Sequence, residues 1–136
     1  MPSVRLFGLD GGTIDLQSLC GKLVLLNFWT SWCAACRTEL PALERLHDDD
    51  RRGSLHVLAV SEDRGSRASV ERFVRDLKIA TLPVYWDPNG YVGYSDGVNS
   101  RSAPFALYGM PITNLVAGSG RVIGYILVFR LANQFK

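Results

Sequence analysis

LVLLNFWTSWCAAC, residues 23–36, decides how the rest of the chain is read. Its first half, Leu23 to Trp29, is nearly all apolar, the pattern of a central strand buried on both faces. Its second half sets Cys33 and Cys36 three positions apart, directly before a segment, Cys36 to Asp48, that reads as an amphipathic helix. A first cysteine placed just outside a helix meets unpaired backbone N–H groups and the positive end of the helix dipole, both of which favour a thiolate. Cys33 is therefore the expected nucleophile. Cys36, inside the first turn and less exposed, suits a resolving thiol that breaks a mixed disulfide with substrate. A pair of inert buried cysteines is the alternative, and the strand-to-helix position argues against it.

Working outward, the 136 residues, 47% of them hydrophobic, suit one domain over residues 1–136 with a single core. Val4 to Leu9 and Thr13 to Leu16 read as an N-terminal hairpin around Asp10-Gly11-Gly12. Leu55 to Val60 is a second core strand, Arg67 to Leu77 a second helix, and Leu82 to Trp86 a third strand closed by Asp87-Pro88-Asn89-Gly90. Two last strands, Ile112 to Val116 and Val122 to Val128, flank Gly118-Ser119-Gly120. Alternating strands and helices indicate an α/β layered domain with some parallel pairing.

Charge and hydropathy exclude several classes. A formal charge of +2, with 15 basic and 13 acidic residues spread along the chain, leaves no footprint for nucleic acid or an anionic membrane surface. No apolar run approaches the roughly 18 residues of a spanning helix, so no membrane insertion is expected. MPSVRLFGLDGG has no apolar leader region, so neither leader nor anchor is read from the chain as given. Structural zinc takes four ligands, and beyond the cysteine pair only Cys20, His47 and His56 are soft candidates. Eleven helical residues put His47 about 16 Å from Cys36. Seven strand residues put Cys20 about 23 Å from Cys33. No metal is expected, and Cys20 reads as a bystander, the sharper alternative being an intermolecular disulfide.

Glu39 is the informative carboxylate. At 100° per residue from Cys36, Leu40, Leu43 and Leu46 fall at about 40°, 340° and 280°, and Glu39 at about 300°, inside the apolar face. A carboxyl buried near a thiol pair acquires a raised pKa and can exchange a proton near neutral pH.

Gly21-Lys22 before the strand, Trp32-Cys33-Ala34-Ala35-Cys36, Glu39 and Pro41 beyond it, and Gly109-Met110-Pro111-Ile112-Thr113 later resemble thioredoxin-fold proteins, most closely the TlpA/ResA/CcmG (DsbE-like) group of bacterial envelope thiol-disulfide oxidoreductases. The resemblance covers roughly Leu6 to Ile126 and is nearest to TlpA-like members. It implies a thioredoxin-like fold: a central mixed β-sheet flanked by helices, with an N-terminal β-hairpin. It also implies a cis Pro111 against the cysteines, with Met110 pairing to an extended substrate and Trp32 as an exposed platform. Thioredoxins carry a buried Asp where this chain has Asn27, and Glu39 matches the glutamate of the TlpA/ResA branch that would take over its role. The implied partners are protein disulfides or thiols in the periplasm or cell envelope, among them apocytochrome c or copper-site assembly proteins, with a membrane electron donor upstream and no cofactor.

The chain departs from that pattern in places. Ala34-Ala35 lacks the proline many relatives carry, about nine extra residues fall near Asn99 to Leu107, and FRLANQFK reads as a shortened C-terminus. Sheet surface left open there would allow weak self-association. A thiol peroxidase would need Pro-x-x-x-Thr-x-x-Cys, and Leu26 stands at the proline position although Thr30 fits. A copper-binding assembly module would need CxxxC and a histidine near the proline loop, and no histidine follows His56.

Overall fold

Strand and helix alternate as layers in the computed structural model, which describes residues 5–50, 53–90, 92–94, 105–106 and 110–125. In chain order the described elements are β1 (Arg5–Gly8), β2 (Thr13–Asp15), a 3-10 turn (Leu16–Leu19), β3 (Leu23–Trp29), α1 (Ala34–Asp49), β4 (Leu55–Ser61), α2 (Arg67–Asp76), β5 (Val84–Trp86), β6 (Gly93–Tyr94), β7 (Phe105–Ala106), β8 (Ile112–Val116) and β9 (Val122–Tyr125). The main sheet runs β2-β1-β5-β4-β3-β8-β9, with β6 and β7 a separate parallel pair. β3 pairs in parallel with β4 and antiparallel with β8, so the sheet is mixed.

The apolar run of β3 follows from its central place. Every residue from Val24 to Trp29 is buried, because alternate side chains serve two cores. Leu25 and Trp29 join Leu40, Leu43, Val57, Val70 and Phe73 on the helix side, where Trp29 stacks on Phe73 at 5.0 Å between ring centroids. Val24, Leu26 and Phe28 join Leu6, Leu16, Leu58 and Val60 on the other side.

Boundaries differ from the sequence expectation where polar side chains intervene. Leu16 leaves the hairpin because the Asp15 carboxyl accepts from the Gln17 N–H and starts the 3-10 turn, which buries Leu16 and Leu19. α1 begins two residues before Cys36, with Cys33 as its N-cap, and runs through Pro41. β5 starts at Val84 rather than Leu82, since the N–H groups of Ala80, Thr81 and Leu82 all turn to the Glu44 carboxyl. Of the expected insertion, only Phe105 and Ala106 are described; the end of the last strand and FRLANQFK lie outside the described residues.

Candidate active site

The cysteine pair sits at the C-terminal end of β3, beside the parallel strand β4, where ligand sites of α/β folds form. As N-cap, Cys33 holds an extended backbone and its Sγ accepts the Cys36 N–H at 3.2 Å. Cys33 is 8% exposed and Cys36 fully buried, so the asymmetry has the expected sense while Cys33 is more enclosed than an open nucleophile. Both are thiols in this structure. Burial, above all, pushes the Cys36 thiol far above its ordinary range; its hydrogen bond with Cys33 and the nearby charges of Cys33 and Glu39 add to the rise.

Glu39 lies half-buried on the core side of α1, and its Oε1 accepts from Asn27 Nδ2 at 3.0 Å and Thr113 Oγ1 at 2.9 Å. Asn27 Nδ2 also donates to Thr113 Oγ1 at 2.8 Å, closing a three-membered network. The sheet register explains it: Asn27 of β3 stands directly opposite Thr113 of β8. Burial raises the Glu39 carboxyl above its ordinary value, against the opposing effect of the Thr113 hydrogen bond.

The Met110-Pro111 peptide bond is cis and leads into β8, where Ile112 pairs with Phe28. Met110 packs against the core cluster that contains Cys33 and Cys36. Cys33, Cys36, Glu39 and Met110 are thus brought together, with Pro111 next in chain. Trp32 instead turns to solvent, 76% exposed. Cys20 is exposed and lies before β3, at the opposite end of that strand. His47 and His56 line a separate pocket of about 200 Å³ with Asp50, Leu55 and Pro83. Among the described residues, no three His, Cys, Asp or Glu side chains are grouped to hold a metal ion.

The sequence profile of the AhpC/TSA family matches residues 1–122. The chain belongs to the AhpC/TSA family. Within this family it is similar to the thiol-disulfide oxidoreductase ResA of Oceanobacillus iheyensis, 37% identical over 84 residues that make up 62% of this chain and 43% of that protein. The chain spans about half the length of the curated relatives it matches first. Among solved structures, StoA from Bacillus subtilis superposes with a TM-score of 0.73 at 21% identity, covering 99% of this chain and 100% of that one. The exposed lipoprotein thioredoxin of Streptococcus pneumoniae gives 0.71 at 23%, covering 98% and 99%. At these identities the structural likeness establishes the thioredoxin-like fold.

Against the AhpC/TSA fold, the sequence motifs located the cysteines, Glu39 and the Met110-Pro111 pair but not their polar supports. For Thr113, the signal in the sequence is its position two residues past Pro111 on an alternating strand. Asn27, at the position where thioredoxins carry a buried Asp, donates two hydrogen bonds. Ser31, Glu62 and Asp63, buried or half-buried around the loop before Cys33, carried no local pattern at all.

Proposed function

We propose that this domain is a thiol-disulfide oxidoreductase acting on protein disulfides, with Cys33 attacking and Cys36 resolving. The observation that carries this reading is the helix-capping position of Cys33 one turn from a fully buried Cys36 that shares its helix with Glu39. The Cys33 thiolate attacks one sulfur of the partner disulfide and expels the other as a thiolate, leaving a Cys33-partner mixed disulfide. Cys36 then gives its proton to Glu39 and attacks the Cys33 sulfur. The partner leaves reduced, and Cys33 and Cys36 remain as a disulfide for an upstream donor to reduce.

The packing of Met110 against the cysteine cluster supports a substrate strand laid beside it, with Trp32 as an exposed apolar contact. Partners in the cell envelope, apocytochrome c or copper-site assembly proteins, and a membrane-bound electron donor remain part of this proposal; the exposed lipoprotein among the similar structures supports the compartment. Among the described residues no helix is long and apolar enough to cross a membrane. The peroxidase alternative draws no support from position 26, where Leu26 is buried inside β3.

Cys36→Ser should accumulate a mixed disulfide with a disulfide-containing protein substrate, and Cys33→Ser should form none, as read by non-reducing electrophoresis and mass spectrometry. A mixed disulfide through Cys36 in the Cys33→Ser variant, at the rate seen for Cys33, would reverse the roles.

A further inference from the structure

Immediately before the cysteines, Ser31 is tied to a carboxyl group that no step above uses. Asp63, two residues past the end of β4, is 7% exposed. Its Oδ1 and Oδ2 each accept the Ser31 backbone N–H at 3.1 Å, and Oδ1 accepts the Ser31 hydroxyl at 2.8 Å. Ser61 Oγ donates to Oδ2 at 2.6 Å and accepts the Asp63 N–H at 3.2 Å. Trp86 Nε1 donates to the Asp63 carbonyl at 2.8 Å, and the Glu62 N–H donates to the Trp29 carbonyl at 2.8 Å. The loop before the nucleophile is thus clamped to the end of β4 on both sides of Thr30. All the side-chain hydrogen bonds of Asp63 are accepted ones, which only two carboxylate oxygens can satisfy; an amide would turn N–H groups toward donors.

The clamp bears on the chemistry through Cys33. Its N–H donates to the Thr30 carbonyl at 3.3 Å, so the turn that delivers its sulfur toward Cys36 is built on the residue beside Ser31. We propose that Asp63 is a positioning residue for the redox pair, holding Ser31 so that Cys33 stays aligned with Cys36 and their disulfide closes readily. This rests on the reading of Cys33 and Cys36 as that pair. Preorganisation raises the effective concentration of one thiol at the other, and closing a disulfide tolerates little error in sulfur position.

The test is equilibration of the purified protein with glutathione disulfide. Two protein thiols lose two electrons and two protons to close the Cys33-Cys36 bond, and glutathione disulfide leaves as two glutathione molecules. Asp63→Asn should lower the closure constant about tenfold, a rise in reduction potential of about 30 mV. Ser31→Ala keeps the charge and loses only the hydroxyl bond, so its constant should fall about threefold in the same direction. A merely structural Asp63 would destabilise both redox forms equally; wild-type constants in folded variants would overturn the proposal. Should Asp63→Asn fail to fold, Ser31→Ala decides alone. A wild-type chain that never closes the bond would overturn the redox reading itself, and this inference with it.

Discussion

Glu39 and Cys36 lie three residues apart on one helix, and burial shifts both in the same direction with opposite consequences. A raised thiol stays protonated at neutral pH and cannot attack; a raised carboxyl becomes a better base. Asn27 and Thr113 both donate to Oε1 of Glu39, and in the proposed mechanism Oε2 takes the Cys36 proton. Glu39→Gln should therefore form the mixed disulfide at a near-normal rate and resolve it at least about tenfold more slowly between about pH 6 and 8. Stopped-flow resolution of the two steps checks this. Stability should move the other way. The folded carboxyl holds its proton above the pH at which the unfolded one releases it, so wild type loses stability as pH rises from the ordinary carboxyl range to the raised folded value. Gln carries no such penalty, and the denaturation midpoint of the variant should gain on wild type as pH rises above the ordinary carboxyl range.

Between elements, the approach to β5 hangs on α1. Glu44 Oε1 accepts three consecutive N–H groups, Ala80 at 2.7 Å, Thr81 at 2.5 Å and Leu82 at 3.0 Å, and also the Thr81 hydroxyl at 3.1 Å. Partial burial alone would raise this carboxyl, but the hydrogen bonds from Thr81, Leu82 and Ala80 outweigh it and hold it below its ordinary value. The clamp matters because the residues it fixes lead to Pro83, whose carbonyl accepts the Ala59 N–H and starts the pairing of β4 with β5. Glu44→Ala should cost about 1 kcal/mol, the net value of a partly solvated charge-assisted cluster. Its sign with pH is opposite to that of Glu39. A depressed carboxyl contributes stability above the unfolded value and loses it as pH falls, so urea midpoints of wild type and Glu44→Ala should converge in acid.

At the scale of the fold, the end of the sheet remote from the cysteines is held by a close backbone approach. A Cβ on Gly118 would lie 2.9 Å from the backbone of Gly21, whose N–H donates to the Gly118 carbonyl at 2.9 Å. Gly118→Ala should destabilise by about 1–3 kcal/mol through forced backbone movement. Because Gly21 precedes β3 and the cysteines follow it, the folded variant should keep the wild-type rate of disulfide exchange; calorimetry and an exchange assay read the two halves separately. The cysteine pair at a strand-to-helix junction, the doubly buried strand and the inward angle of Glu39 were all legible in the sequence, because each is a local pattern set by the covalent periodicity of strand and helix. The partners of those groups were not. Thr113 meets Asn27 across 86 residues of chain and Glu39 across 74, Asp63 meets Ser31 across 32, and Glu44 meets Leu82 across 38. Short polar side chains show no period of their own, so strand order, register and helix docking alone decided which of them meet.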